Sequence, residues 1–493
     1  MLFSFENLYR QYLACRRNKR NTLNALRFEA RQEAQLLALR EALVTRTYVP
    51  ARSVCFFAQR PKLREIFAAD FRDRVVHHVL VSYLERIWEP RFIHDSYACR
   101  RGKGVHAAVA RLQQFIREAT ANGTRRAWYL QLDIRNYFMT IDRDILYAQV
   151  SAKLNDDDAR WLAKVLIYHD CTEDYVYRGA PGAHARIPPH KTLTGVPKNK
   201  GLPIGNLNSQ FFANVYLDAF DQFVKHTLKC RHYIRYCDDF VLLSPDVQQL
   251  RDWRVRIETY LREKLALELN TRRERLRPVS DGVDFLGYIV RRDYLLVRRR
   301  VVSNLKRKLN AFETELVRNG PRVRRCRFER ERLDLLYATL NSYMGHMQRA
   351  STASLWRALW QRHAWLAAYF TFDPAALELG RRYLPPIGAR RASQQYRHYR
   401  RQFPEAVVLL QVGKFFEFYE GRDAALAEKL DLAPMRRNAR GARYGFPLAA
   451  LRVYLLRLFE WRQAVVVIGE TDEYLTAVKT RVPVCRYEAL TAS

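Results

Sequence analysis

A chain of 493 residues exceeds one compact domain; at ~100–200 residues per domain it divides into about three. Hydrophobic and aromatic fractions of 48% and 13% supply several cores and exclude a mainly disordered chain. Lys and Arg number 85 against 51 Asp and Glu, a net charge of +34 that calls for a polyanionic partner, nucleic acid by default, although a ribosome-like structural binder or a membrane-surface protein shares that composition.

The first fifty residues read as helix, with Leu23, Leu26, Ala30, Leu36, Leu37, Leu39 and Leu43 on a three-four spacing that Pro50 ends. Tyr48 to Ile66 reads as a short strand pair, and Asp70–Trp88 as a helix closed by Glu89-Pro90. The β-rich run Trp128-Tyr-Leu-Gln-Leu-Asp-Ile leads into an aromatic turn, Asn136-Tyr-Phe. Cys171 to Lys200 is rich in Gly, Pro, His and Lys and reads as an irregular insertion; His184 and His190, with His169 and Cys171 nearby, fit no standard zinc spacing and read as loop histidines. Tyr233 to Leu243 is a hairpin, apolar runs flanking Cys237-Asp238-Asp239. Asp293 to Leu366 reads as helical and basic. Gly380 to Gln402 holds seven arginines, Pro385-Pro386 and no acid, the composition of a linker. Residues 403–493 then hold 13 basic and 11 acidic residues, 13 − 11 = +2, which leaves 34 − 2 = +32 on the rest and marks a separate, nearly neutral C-terminal domain.

The eight cysteines (Cys15, Cys55, Cys99, Cys171, Cys230, Cys237, Cys326 and Cys485) form no C-x-x-C pair, which suits a reduced compartment. Charged residues within the first ten interrupt any signal-peptide core, and no stretch approaches the ~18 apolar residues of a membrane span. The expectation is a soluble, cytoplasmic protein.

Three acids stand where acids are costly. Asp133 ends an apolar strand, and Asp238 and Asp239 sit at the tip of an apolar hairpin. Adjacent ionised carboxylates repel, and apolar flanks make their burial worse. Hard divalent cations remove the problem: two Mg²⁺ ions ~3.5–4 Å apart can clamp both oxygens of an in-line phosphoryl displacement. An Asp-Asp pair also makes ordinary β-turns, so the hairpin alone leaves both readings open.

The surrounding segments resemble a reverse transcriptase. Tyr236-Cys-Asp-Asp matches that family's Tyr-x-Asp-Asp box, and Leu132-Asp-Ile-Arg-Asn-Tyr-Phe-Met-Thr-Ile-Asp matches the preceding metal-binding box. Phe71-Arg-Asp-Arg-Val-Val-His-His, Ser96-Tyr-Ala-Cys-Arg-Arg-Gly-Lys-Gly and Phe285-Leu-Gly-Tyr are similar to the fingers segment, the next box and the primer-grip turn, in the family's order. The resemblance implies an α+β right-hand polymerase: N-terminal helices and fingers over 1–125, palm over 126–292 with the insertion 171–200, helical thumb over 293–379 and linker over 380–402. It implies two Mg²⁺ ions, with Mn²⁺ as a substitute, held by Asp133, Asp238, Asp239 and the carbonyl of Ile134. Phe138 would be the steric gate that excludes a 2′-OH, with core packing as its plainer role. Lys62, Arg64 and either Arg72 or Arg74 would neutralise the triphosphate, although Arg72 and Arg74 also suit structural roles. Arg100, Arg101, Phe285 and Gly287 would face nucleic acid. Arg272-Arg273 replaces the lysine that often follows Leu-x-Leu-Asn, which puts a general-acid role there in doubt, and Arg273 is assigned to the substrate instead.

The box Gly201-Leu-Pro-Ile-Gly-Asn-Leu-Asn-Ser-Gln is similar to that of diversity-generating retroelement reverse transcriptases, as is Leu340-Asn-Ser-Tyr-Met-Gly-His-Met. Most relatives have Gln-Gly-x-x-x-Ser-Pro where this chain has Ile204-Gly205-x-x-x-Ser209-Gln210, so Ile204, Gly205 and Gln210 are assigned to the nucleotide site. Replacing a glutamine by Ile204 removes a polar restraint on the incoming nucleotide. This family, bacterial or phage-encoded, copies a template-repeat RNA into cDNA with misread adenines, which then replaces a variable repeat in a target gene. Its expected partners are template RNA, cDNA and target DNA, dNTPs and a small basic helical accessory protein, with no membrane. A group II intron maturase or an antiviral-defence enzyme is the competing enzyme reading, although no His-Asn-His-like cluster supports a maturase. An RNA-binding scaffold with a dead palm is the non-enzyme alternative, against which the three intact carboxylates argue.

Val407-Val-Leu-Leu-Gln-Val-Gly-Lys-Phe-Phe-Glu-Phe-Tyr-Glu-Gly-Arg-Asp-Ala resembles the mismatch-recognition domain of MutS proteins, which implies a small mixed α/β MutS-I-like domain over 403–493. Phe415 and Glu417 stand at that domain's Phe-x-Glu reader, a ring that wedges into the base stack beside a hydrogen-bonding acid. A docking module with Phe415 in its core is the alternative.

Overall fold

The computed structural model describes residues 1–17, 22–58, 63–179, 182, 187–420, 423–434, 444–474 and 478–489. The chain divides into two compact units, residues 1–286 with 290–293, and residues 287–289 with 294–493.

The first unit is built round a four-stranded antiparallel sheet in the order His232–Tyr236, Asp239–Ser244, Trp128–Asp133, Arg275–Pro278. Leu130, Leu132, Phe240 and Leu242 alternate onto one face and join a large core with the helices Phe71–Trp88, Leu207–Tyr216 and Val247–Leu265. The helix Phe71–Trp88 starts where the Asp70 side chain accepts a hydrogen bond from the amide of Arg72, and it buries Val75, Val76, Val79, Leu80 and Leu84. A smaller sheet pairs Ser53–Ala58 antiparallel with Arg64–Ala68 and parallel with Tyr175–Tyr177. The segment 171–200, expected to be irregular, therefore contributes a strand, because Tyr175 and Tyr177 pack their rings against Phe67 and Phe57.

The second unit has helices Arg299–Leu316, Arg330–Met347 and Ala353–Arg362, which bury Leu305, Leu309, Leu333, Leu336, Trp356 and Leu359 together. The helical reading of Asp293 to Leu366 needs two corrections, of which the first is the short strand Leu295–Val297. Val317–Asn319 and Val323–Arg327 form a hairpin about Gly320-Pro321, since proline at a turn cannot continue a helix. That hairpin extends a seven-stranded sheet whose other members are Lys479–Ala489, Ala464–Tyr474, Ala406–Val412, Phe415–Phe418 and Tyr444–Pro447, in that order.

The arginine-rich stretch 380–402 is a linker in composition only. Ala392–Gln402 is a helix, and its Tyr396 and Tyr399 are buried in the core of the sheet. Gln395, fully buried, accepts from the amide of Arg481 and donates to the carbonyl of Lys479, both at 3.0 Å. Arginines on the outward face gave the stretch its linker composition and hid the aromatic stripe. Gln395→Ala removes the side-chain acceptor of the buried Arg481 amide, at a cost of about 1–3 kcal/mol. Denaturant unfolding of the full chain should show that loss in the transition of the second unit.

Candidate active site

Antiparallel register builds the site. Asp133 lies directly opposite Asp239, and Gln131 opposite Val241, so both acids and Gln131 project from the sheet face away from the main core. Gln131 donates to Asp239 Oδ1 at 3.0 Å and to the carbonyl of Asp284 at 3.1 Å. The hairpin Tyr236–Asp239 turns through Cys237, whose φ of 59° is left-handed. Asp238 follows in that turn, and its carbonyl accepts from the amide of Ile134 at 3.1 Å. Ile134, buried, thereby ties the two acid-bearing segments together through its backbone.

The electrostatics are those of crowded carboxylates. Burial pushes the Asp238 carboxyl above its ordinary range, the charge of Asp133 pushes it further, and Arg64 pulls it back. Asp133 is held from the other side: Asn270 Nδ2 donates to Oδ1 at 2.9 Å and Arg273 Nη1 to Oδ2 at 2.8 Å. Among the described residues no group of three or more His, Cys, Asp or Glu side chains is arranged as a ready metal cage. The donor chemistry nevertheless fits hard divalent cations, since a buried acid raised by a neighbouring acid is stabilised as the anion by such an ion. Asp133, Asp238 and Asp239 would hold it, and Arg273 supplies the positive charge now at Asp133. Arg273 thus sits on a carboxylate, not in a position read from its sequence context.

The nucleotide-side residues divide. Phe138 is half-buried in the short helix Tyr137–Thr140 and shares an apolar cluster with Ile204, Met139, Phe67 and Val196. The carbonyl of Ile204 accepts from the amide of Phe67 at 3.2 Å, which joins this box to the strand that carries exposed Arg64. Gly205 has φ +120°, and a Cβ there would come 2.8 Å from Ile66 Cγ2, so both conformation and space require glycine. Gln210 is exposed and accepts from the Cys99 thiol at 3.4 Å. Lys62 and His184 lie outside the described residues.

Several expected contacts are corrected. Arg72 donates to the carbonyl of Val49 at 2.6 Å, contacts Asp73 and stacks over Tyr48, so it braces the fingers. Arg74 donates to the carbonyl of Ala69. Arg100, 6% exposed at its side chain, pairs with Glu89 and donates to the carbonyls of Ile93 and Ser96; Arg101 beside it is exposed. Phe285 is fully buried, and the turn continues through Leu286 and Gly287 at φ 50° and 97°. The Phe285 ring, expected to face nucleic acid, is thus packed inside the protein. In the second unit Phe415 is 40% exposed, whereas its neighbours Phe416 and Phe418 fill the core, which corrects the reading that buries Phe415. Glu417 is 3% exposed and accepts from Tyr419 Oη, so the acid of the pair is turned inward. Gln131 and Asn270 escaped the sequence reading; a lone amide in an apolar strand and an asparagine after Leu267-Glu-Leu were the only signals.

Residues 58–290 match the family model for reverse transcriptase (RNA-dependent DNA polymerase), and residues 390–487 that for MutS domain I. The chain is 25% identical over 318 residues to Protein YkfC of Escherichia coli strain K12, covering 57% of this chain and 78% of that one. It is 21% identical over 332 residues to the group II intron-encoded protein LtrA of Lactococcus lactis subsp. cremoris, covering 55% of this chain and 51%, about half, of LtrA. Among solved structures, telomerase from Candida albicans aligns at 10% identity with a TM-score of 0.37, over 61% of this chain and 54% of that one. No helix among the described residues is long and apolar enough to cross a membrane. The chain carries a reverse transcriptase domain, that of an RNA-directed DNA polymerase, followed by a MutS domain I.

Proposed function

We propose that this polymerase is the error-prone reverse transcriptase of a diversity-generating retroelement, which copies a template-repeat RNA into adenine-mutagenised cDNA for transfer into a variable repeat. The observation that carries the reading is Ile204, an apolar side chain packed in one cluster with Phe138, at a position where most relatives present a glutamine. A nucleotide seated against that cluster meets no hydrogen-bonding group from residue 204, and discrimination that relies on such groups is the kind that can be large. Similarity to LtrA favours a second reading, a group II intron-like reverse transcriptase.

In either case the roles of this chain's residues are the same. Asp133, Asp238 and Asp239 hold Mg²⁺, or Mn²⁺ in its place. When bound, such ions supply Lewis-acid stabilisation of an in-line phosphoryl displacement. Phe138 fills the space of a ribose 2′-OH and so selects dNTPs. Arg64, exposed on its strand, meets the triphosphate, and Lys62 is proposed beside it. Arg273, now held at Asp133, would be released toward the same phosphates if a cation took its place there. Template RNA and cDNA are held by the basic surface, to which exposed Arg101 belongs. A small basic helical protein is the proposed accessory partner.

Sequencing cDNA made on a defined RNA tests polymerisation, template use and adenine errors together. Asp133→Ala and Asp239→Ala should each abolish extension while leaving RNA affinity within about twofold, because affinity comes from the basic surface; more than a few per cent of residual activity refutes the assignment. Ile204→Gln should lower misincorporation opposite adenine, and an unchanged error spectrum removes Ile204 as its cause. Phe138→Ala should admit ribonucleotides, read as the ratio of kcat/KM for rNTP and dNTP. In the second unit, exposed Phe415 supports a ring that wedges beside a mismatch. Full-length Phe415→Ala should therefore lose any preference for mismatched over perfect duplex, and equal binding by the wild-type protein leaves the docking role.

A further inference from the structure

Asp238 is useful to a polymerase only if its carboxylate is held still, and it sits in a turn that is intrinsically strained. Cys237 before it adopts φ +59° without being glycine, a left-handed conformation that is unfavourable for an L-residue. Two bonds hold the backbone on either side of Asp238. After it, the Asp238 carbonyl accepts from Ile134 N at 3.1 Å. Before it, the Cys237 carbonyl accepts from Arg235 Nη1, also at 3.1 Å. Because a peptide unit is planar, fixing the Cys237 carbonyl also fixes the amide of Asp238, so both peptide planes that meet at the Asp238 Cα are pinned.

Arg235 is itself held without freedom. It is completely buried, and so is Asp221, which it meets through Nε at 2.8 Å and Nη2 at 2.5 Å. Tyr233 Oη donates to the same carboxylate at 2.7 Å. The remaining nitrogen, Nη1, is divided between the Cys237 carbonyl and Asn214 Oδ1 at 3.3 Å, and Asn214 in turn donates to the carbonyl of Ala98. The backbone of Arg235 is clamped as well: its amide donates to the carbonyl of Asp95 and its carbonyl accepts from Tyr97. A buried ion pair contributes little net stability against an apolar pair of the same volume. A planar fork, however, can satisfy a carboxylate with one edge and aim its remaining nitrogen at a carbonyl, which an apolar pair cannot do.

We propose that Arg235 is a positioning residue for catalysis: anchored by Asp221, it holds the Cys237 carbonyl and so aims the Asp238 carboxylate. The inference rests on the placement of Asp238 in the catalytic centre. The helix Leu207–Tyr216, which belongs to the same box as Ile204, reaches the catalytic turn through Asn214 and this guanidinium.

The test uses the full chain. Arg235→Met alone strands Asp221 as an unpaired buried anion and reports on folding, so the informative variant is Asp221→Leu with Arg235→Met, which removes both charges. Arg235→Lys is the second variant; it keeps a buried cation for Asp221 and folds even if the double variant does not. Expected for the double variant are an unfolding midpoint and template RNA affinity close to wild type, dNTP KM within about twofold, and kcat lower by about 10- to 100-fold, the scale of an ångström of misplacement. Arg235→Lys should lie between wild type and the double variant, as a single ammonium nitrogen lacks the planar fork that meets the carboxylate edge-on and the carbonyl with a separate nitrogen. Wild-type kcat in either variant overturns the proposal, and so does a fall in kcat that only follows the loss of folded protein and RNA affinity. Asp238→Ala is measured alongside: full activity there would refute the site assignment itself, a result separate from anything the Arg235 variants show.

Discussion

The register of two strands governs this polymerase domain. Pairing Trp128–Asp133 with Asp239–Ser244 sets Asp133 opposite Asp239 and brings Asp238 close enough for its ionisation to be opposed by Asp133. Like charges opposite one another destabilise a sheet, and burial strengthens the effect. A slip of one residue would turn Asp133 into the core and bring Leu132 out. The surrounding polar groups respond to that constraint. Asn270 and Arg273 hold Asp133, Gln131 holds Asp239, and Ile134 N holds the backbone of Asp238. The repulsion that makes the site unfavourable for folding is what a bound cation would relieve.

Positive charge has two uses in the chain. Part of the excess is exposed, as at Arg64 and Arg101. Other arginines are structural and largely neutralised by the acids they meet: Arg235 is sealed against Asp221, Arg100 against Glu89, Arg481 against Glu470, and Arg382 and Arg486 share Glu405. Arginine suits these places because its fork satisfies a carboxylate and a carbonyl at once. The number of arginines therefore overstates the surface offered to nucleic acid, whereas the net charge of +34 already subtracts the acids they meet.

The parts legible in the sequence were those where chemistry and pattern coincide. Acids at the end of an apolar strand and at the tip of an apolar hairpin are anomalous for folding, and that anomaly singled out Asp133, Asp238 and Asp239, while the resemblance of the surrounding segments chose a metal site over an ordinary β-turn. The role of an individual arginine was not legible, because the same side chain serves as brace or as ligand. Arg72 and Arg100 stand in boxes that resemble substrate-binding segments, yet Val49, Tyr48, Glu89 and Ile93 engage them, and those contacts depend on tertiary placement. The helix Ala392–Gln402 was hidden for a related reason: its exposed arginines gave the composition of a linker, while Tyr396 and Tyr399, three apart, marked the buried stripe.

Correcting that linker changes how the MutS domain I can act. A flexible tether would raise the local concentration of a second binding site over a range of orientations. Here the hairpin strand Val323–Arg327, which follows the helix Arg299–Leu316, pairs directly with Lys479–Ala489, and Phe328 packs against the cores on both sides. Backbone hydrogen bonds across a sheet fix orientation as well as distance. The strand that bears Phe415 is thus set in a fixed direction relative to the helices of its unit, so a duplex bound along those helices would meet the exposed ring at one position and not at many.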